Sequence, residues 1–355
     1  MKVVSLFIAG GVGKRLWPKS DTSCPKQFSD IFNCGKSLLE DSVYRISSLS
    51  KEEDTFIITD KRFAALINKL NLSIPSENIF YEPFGRNTLP AINFSIEMIK
   101  RKYKEDVVVL VFPCDHRIDN IKLFKESVER AIETSIKYDS IVTIGISPSS
   151  PNTNYGYIKQ GEMITNHLFK VDSFKEKPSL ELAQEYIQSN KYLWNSGIFI
   201  FPLNTMMDEI KKHASEQQKL FEQYDPTSIS NKNNLKDIYS KLSSISIDKG
   251  LIEKCDKLYV VKAEFEWDDL GTWSSIEKYY SRNENNNIST DSKHVVINKC
   301  KNTSVLSYDS NDIIVSGLED VLVISSNNKL LIIKKSDIAN IPSLVDELEK
   351  KNNLD

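Results

Sequence analysis

Three groups of residues in this chain have the types and spacing for phosphate chemistry. The first is a glycine cluster, Gly10, Gly11 and Gly13, which follows an apolar run from Val3 to Ala9 and leads directly into Lys14 and Arg15. After a strand, backbone N–H groups converge on an anion only where no Cβ blocks the approach. Lys26, in the segment CPKQF, adds positive charge nearby in sequence. The competing interpretation is a tight strand-to-helix turn with solvated basic residues. Two familiar phosphate loops are excluded. The pattern G-x-x-x-x-G-K-[ST] fails at Ile8 and Arg15, and the dinucleotide fingerprint G-x-G-x-x-G fails at Leu16.

The second group is acidic. Asp115 ends the apolar run VVVLVFPCDHRI, and Asp268 and Asp269 lie in EFEWDDLGTW. Carboxylates at strand ends suit a cation such as Mg²⁺, which uses one or two carboxylates plus substrate phosphates. The alternatives are a helix-capping aspartate and a charged turn. His116 is either a supporting partner of Asp115 or a turn residue.

The third group is mixed. Glu176 and Lys177 in FKEKPS, with Asn195 in YLWNSGIF, could hold a phosphate and a sugar hydroxyl together; a solvated strand end is the plainer alternative. In EPFGRNTLPAI, Gly85, Arg86, Asn87 and Thr88 form a polar turn before a helix. Asn87 or Thr88 caps that helix, or an amide there reads a base edge.

These residues need a scaffold, and the pattern supplies one. VVSLFIAGG, TFIITD, VVVLVFPCD and SIVTIGIS have no period-two alternation, as expected of strands covered on both faces. Helical patterns separate them: SLLEDSVYRISSL, KRFAALINKL, LPAINFSIEMIKRK and FKESVERAIETSIKY. This alternation predicts an α/β fold with a parallel sheet and right-handed crossovers, the sheet of the whole domain being mixed and mainly parallel, with ligands beyond the carboxyl ends of the strands. The middle third predicts strands at YIKQGEM, LFKVDSFKEKP, YLWNSGIFIFP and KLYVVKAEFEWDDLG, and single helices over LELAQEYIQS and NTMMDEIKKHASEQQKLFEQY. The stretch SRNENNNISTDSK marks a linker or exposed turn. Beyond it come short β-rich pieces and a last helix with Ser336 or Asp337 as cap. The expected domains are 1–284 and 285–355.

Composition bounds the function. The 355 residues carry a net charge of −3, so no global basic field recruits nucleic acid. Five scattered cysteines with no C-x-x-C pair argue against a disulfide framework or a zinc knuckle. No apolar stretch reaches the length of a membrane span. The expectation is a cytoplasmic protein with no membrane partner.

The order of the motifs is more specific than any one of them. GG-x-G-x-R-L-W-P, P-K-Q-F, E-P-x-G-R-N-T, P-x-D-H, Y-G-Y-I, E-K-P, W-N-S-G and W-x-D-x-G-x-W run in sequence from Val3 to about Trp273. This series resembles the mannose-1-phosphate guanylyltransferases, or GDP-mannose pyrophosphorylases, of the sugar nucleotidylyltransferase family. SIDKGLIEK also looks like the family's segment before its last acidic motif.

The resemblance implies a Rossmann-like nucleotidyltransferase domain followed by a small left-handed β-helix-like domain. It implies that GTP and mannose 1-phosphate give GDP-mannose and pyrophosphate, with Mg²⁺ as cofactor. By motif position, Ala9, Gly10 and Gly11 would approach the nucleoside, and Gly13, Lys14, Arg15 and Lys26 would hold the triphosphate. Asn87 and Thr88 would lie near guanine. Asp115 and Asp269 would share Mg²⁺. Gly156, Glu176, Lys177 and Asn195 would hold the sugar phosphate. The catalytic charges would be Arg15 and Lys26 on the departing pyrophosphate and Lys177 on the incoming phosphate.

Four positions depart from the family pattern: Lys14 stands where Thr is usual, Cys114 for Ser, Asn154 for Gly and Leu89 for Ala. None removes a charged position. Two rival readings accompany the main one: another hexose 1-phosphate or nucleotide, and a catalytically silent sugar-nucleotide-sensing regulatory subunit. Longer relatives carry an added isomerase domain, and transferase activity alone is expected of this sequence. Exposed strand edges in the C-terminal region predict a homodimer.

Overall fold

The computed structural model describes residues 1–11, 13–225, 231–291 and 293–352. Val12 of the glycine cluster, Ser292 of the Asn/Ser-rich stretch and the tail 353–355 lie outside the described residues. The strands are β1 (Lys2–Ala9), β2 (Thr55–Asp60), β3 (Ile79–Glu82), β4 (Val107–Pro113), β5 (Arg117–Ile118) and β6 (Ile141–Ile146). They continue with β7 (Gly156–Thr165), β8 (Leu168–Glu176), β9 (Tyr192–Pro202), β10 (Leu258–Lys262) and β11 (Trp267–Asp268). The C-terminal strands are β12 (Ile288–Ser289), β13 (Val295–Asn298), β14 (Ser304–Ser307), β15 (Ile313–Ser316), β16 (Val321–Ser326) and β17 (Lys329–Lys334). The helices are α1 (Leu38–Ile46), α2 (Ala64–Ile67), α3 (Thr88–Lys102), α4 (Ile121–Tyr138), α5 (Leu180–Ser189) and α6 (Leu203–His213). They end with α7 (Ser215–Glu222), α8 (Asn231–Lys241), α9 (Ile247–Gly250), α10 (Trp273–Glu277) and α11 (Ile341–Asn352).

The chain forms two compact units. The first comprises Met1–Gly10, Ser42–Cys114 and Ile118–Trp267. It holds a nine-stranded sheet in the order β3-β2-β1-β4-β9-β6-β10-β8-β7. The β1, β2, β3 and β4 pairings are parallel, as the strand–helix alternation predicts. The sheet is less parallel than expected, however. β9 runs antiparallel between β4 and β6, and β7 and β8 are antiparallel to each other. Phe199 and Phe201 of β9 pack with Val4, Leu6, Val109 and Val111 in one buried core, so burial rather than strand direction places this strand. The single helix expected over 204–224 is two, α6 and α7, separated at Ala214, whose φ of −140° is not helical.

The second unit is discontinuous: Gly11–Asp41, Asp115–Arg117 and Asp268–Asp355. It takes in residues 11–41 and 268–284, which lie N-terminal to residue 285. Its strands stack in parallel: Ile288 is in register with Ser304, and Ser304 with Leu322. β13 and β15 form a second parallel pair. β16 and β17 close a hairpin whose turn, Asn327-Asn328, has φ of 55° and 58°. Two adjacent asparagines at positive φ suit the tight turn that matches strand twist. The core joins Leu16 and Ile31 to Trp273, Leu306, Leu322, Ile324 and Ile341. Ser336 and Asp337 do not cap the last helix. They lie in a 3-10 segment, Lys335–Asn340, and α11 starts after it with Pro342 in its first turn, where a missing N–H costs nothing.

Candidate active site

The second unit gathers the basic loop and the acids. Leu16 is buried, and Trp273 donates its indole N–H to the Trp17 carbonyl at 3.1 Å, so the loop is tied to this unit's core just after Arg15. Gly11 and Gly13 have φ of 98° and 63°. At Gly13 a Cβ would also fall 2.8 Å from Ser20 Oγ and 3.1 Å from Lys26 Cβ, so conformation and space both require glycine. The Ser20 hydroxyl donates to the Gly13 carbonyl, and Gln27 Nε2 donates to the Gly11 carbonyl at 3.2 Å.

A pocket of about 370 Å³ opens on this loop, lined by Gly13, Lys14, Arg15, Lys26, Asp115 and Asp269 among others. Lys26 organises it. Its side chain is 8% exposed, and Nζ lies 3.0 Å from Asp115 Oδ2 while also donating to the Asp269 backbone carbonyl. Burial pushes the Asp115 carboxyl up, but the Lys26 ammonium and His116 outweigh it and hold the group below its ordinary value. His116 Nε2 lies 3.7 Å from Asp115 Oδ1, the supporting position the sequence allowed.

The paired aspartates divide their tasks. Asp268 accepts from the Leu270 N–H at 2.7 Å and meets Lys278 at 3.4 Å, so it builds the turn. Asp269 lines the pocket and accepts from the Gly271 N–H at 3.0 Å. A Cβ at Gly271 would lie 2.8 Å from Asp269 Oδ2.

The loop's other two cations differ. Arg15 is exposed and makes no ion pair or hydrogen bond among the described residues. Lys14 reaches α11, with Nζ 2.7 Å from Asp346 Oδ1 and 2.6 Å from Glu349 Oε2. Those two acids raise its pKa.

The first unit gathers the remaining residues. Gly156 and Glu176 are register partners on β7 and β8, and a Cβ at Gly156 would fall 2.6 Å from Glu176 Oε2. Glycine therefore leaves the Glu176 carboxylate its place. Lys177, at φ 49°, directs Nζ to within 2.9 Å of Glu176 Oε1. Asn195 donates from Nδ2 to Asp248 Oδ1 at 2.8 Å. Asn87 caps α3, its side chain accepting from the Thr88 N–H at 2.8 Å. The Thr88 hydroxyl accepts from the Ile247 N–H at 2.9 Å. Ala9 is buried at the end of β1, where its carbonyl accepts from the Thr59 hydroxyl at 2.8 Å, and Gly10 is exposed.

Two of the departures from the motif pattern, Cys114 and Leu89, are accommodated by their contacts. The Cys114 thiol donates to the Ile8 carbonyl at 3.2 Å, as a serine would. Leu89 packs on the 245–250 segment, where a Cβ at Gly250 would meet it at 2.5 Å. Sequence reasoning missed Asp248 and Thr143, which both touch Asn195. Asp248 lies in SIDKGLIEK, a segment noted only for its resemblance. Thr143 sits beside a register shift between β6 and β9, which no local pattern announces.

A mixed α/β sheet, a glycine loop backed by Lys26 and two strand-end acids together define a nucleotide-handling transferase fold. The nucleotidyl transferase family model matches residues 4–286. A mannose-1-phosphate guanylyltransferase of Sinorhizobium fredii is 30% identical over 99% of this chain and 69% of its own length. Mannose-1-phosphate guanylyltransferase 2 of Escherichia coli O157:H7 is 32% identical over 98% of this chain and 73% of its own. A crystal structure described as mannose-1-phosphate geranyltransferase from Thermus thermophilus matches with a TM-score of 0.86 at 29% identity, covering 98% of this chain and 100% of that one. The chain belongs to the nucleotidyl transferase family, in the group of the mannose-1-phosphate guanylyltransferases.

Proposed function

We propose that this protein transfers GMP from GTP to α-D-mannose 1-phosphate, giving GDP-mannose and pyrophosphate. The observation that carries the reading is Lys26, held against Asp115 and Asp269 in a pocket floored by a glycine loop. The full-length similarity to mannose-1-phosphate guanylyltransferases supports the choice of substrates.

A phosphate oxygen of mannose 1-phosphate attacks the α-phosphorus of GTP. The bond from that phosphorus to the α–β bridging oxygen breaks, and pyrophosphate leaves with the bond's electrons. No side-chain nucleophile is required. Two anions must meet, so charge neutralisation and positioning supply most of the rate. Lys26 and the exposed Arg15 stabilise the pyrophosphate, and the loop N–H groups of Gly11 and Gly13 hold the triphosphate. Lys14 exchanges Asp346 and Glu349 for triphosphate oxygens. Ala9 and Gly10 approach the nucleoside, with Asn87 and Thr88 near guanine. Gly156, Glu176 and Asn195 hold the sugar phosphate, which Lys177 anchors.

The donor set also fits a hard cation. Asp115 and Asp269 offer carboxylate oxygens, and two carboxylates leave the rest of a Mg²⁺ shell to phosphate and water. When bound, the ion would neutralise phosphate charge. Among the described residues no cluster of three or more His, Cys, Asp or Glu side chains is arranged to hold a metal.

Three finer readings complete the proposal. The stacked parallel strands β12, β14 and β16 support a left-handed β-helix-like C-terminal region over 285–355. Ile314, 77% exposed, with Leu330 and Ile332, supports a homodimer through that region; light scattering at micromolar concentration should give twice the chain mass. Among the described residues no helix is long and apolar enough to cross a membrane. We place the activity in the cytoplasm, where GTP and sugar phosphates are available. The test of function is direct: purified protein with GTP, mannose 1-phosphate and Mg²⁺ should form GDP-mannose and pyrophosphate in equal amounts. Binding of GDP-mannose with no pyrophosphate release would favour a sensing role instead.

A further inference from the structure

Asn195 sits in a bulged part of β9, and its amide orientation is determined by its neighbours. The Gly197 N–H, which can only donate, points at Asn195 Oδ1 from 3.2 Å. The Thr143 hydroxyl has a single proton and lies 3.0 Å from the Ile198 carbonyl and 3.2 Å from Asn195 Oδ1. On the other side, Asn195 Nδ2 is 2.8 Å from Asp248 Oδ1, an ionised acceptor. Flipping the amide would set its oxygen against a carboxylate and its N–H₂ against an N–H. Both contacts are repulsive, so one orientation is imposed.

The consequence is asymmetric. Oδ1 is already engaged by a backbone donor, and one hydrogen of Nδ2 is committed to Asp248. Among the described residues, Asn195 is left with a single free N–H. Asp248 lies beyond the site motifs, in the SIDKGLIEK segment. Its own place is fixed by the short helix α9, whose Ser246 cap accepts from the Lys249 N–H and whose first residue donates to Thr88.

We propose that Asp248 is a positioning residue of the sugar-phosphate site, locking Asn195 as a one-way hydrogen-bond donor to an acceptor oxygen of the hexose 1-phosphate. This rests on the reading of Asn195 as a sugar-phosphate residue. Glu176 supports the same placement: burial and the Glu176 charge together push the Asp248 carboxyl up to about 6. Asp248 therefore belongs to the same electrostatic group as Glu176 and Lys177.

The experiment measures KM for mannose 1-phosphate and for GTP in four variants, with melting temperatures alongside. Asp248→Ala frees the Asn195 amide and should raise KM for mannose 1-phosphate about tenfold, with KM for GTP within about twofold of the parent. Asp248→Asn keeps an acceptor oxygen for Nδ2 and should stay within about threefold. The exchange Asn195→Asp with Asp248→Asn restores the internal hydrogen bonds but leaves no donor for substrate. It should recover the melting temperature and retain the high KM. Asn195→Ala should itself raise KM for mannose 1-phosphate. If Asn195→Ala leaves that KM unchanged, the underlying site reading is wrong. If Asn195→Ala raises it while Asp248→Ala does not, Asp248 has no positioning role. Asp248→Asn as damaging as Asp248→Ala, or recovery of KM by the exchange, also overturns the proposal.

Discussion

Lys26 and Asp115, distant in sequence, form an ion pair of 3.0 Å in which the lysine side chain is almost fully enclosed. The same ammonium donates to the backbone carbonyl of Asp269. One cation therefore spans both acids proposed as metal ligands. Lys26→Met should lower kcat/KM for GDP-mannose formation by at least about 100-fold, the scale for removing a charge that stabilises a phosphoryl-transfer transition state. A pyrophosphate-release assay checks it. A variant that stays folded and works within threefold of the parent would rule out this role.

Asp115→Asn and Asp269→Asn test the cation. Each should raise the Mg²⁺ concentration needed for half-maximal rate by about tenfold or more, because each removes a charged oxygen ligand. Chelation should abolish turnover in the parent, and added Mg²⁺ should restore it. Parent-like Mg²⁺ dependence in both variants would remove these residues from the metal site.

Lys14 is proposed to trade the acids of α11 for the triphosphate. In the structure it holds Asp346 and Glu349 of α11. Lys14→Ala should raise KM for GTP about three- to tenfold, while Asp346→Asn with Glu349→Gln frees the ammonium and should lower it. If KM for GTP is unchanged in Lys14→Ala, the lysine serves the helix contact alone.

Burial pushes Asp21 up, but the Lys329 ammonium at 2.6 Å, the Ser23 hydroxyl and the N–H groups of Ser23 and Cys24 outweigh it and lower the group to about 2. Its unfolded value is about 3.9. The folded value lies below the unfolded one, so the stabilisation is fully present above about pH 4 and is lost as pH falls through about 2. Asp21→Asn should melt below the parent at pH 6, and the gap should narrow below pH 4 and be nearly closed at pH 2. A gap independent of pH would show that charge is not the cause.

The legible part of this protein is local. A glycine that needs positive φ, Gly13, announces itself beside charged residues, and the strand-end acid Asp115 follows an apolar run. The parallel direction of β1 to β4 follows from strand–helix alternation and from patterns covered on both faces. The hidden part is long-range. β9 has the same apolar character as its neighbours, so nothing in its residues says that it runs antiparallel between β4 and β6. Residues 11–41 join the C-terminal strands because Leu16 and Ile31 share a core with Trp273 and Ile324, a partnership decided by packing rather than by any spacing. Asp248 stayed unnoticed for a similar reason: an aspartate near a helix start is ordinary until the fold brings it to Asn195.

A substrate matrix decides the identity of base and sugar. Pyrophosphate release is measured for GTP, ATP, UTP, CTP and dTTP, each with mannose 1-phosphate, glucose 1-phosphate and galactose 1-phosphate, at fixed Mg²⁺. GTP with mannose 1-phosphate should give the highest kcat/KM, by about tenfold or more over every other pair. A higher value for another pair, or no release with any pair, would contradict it.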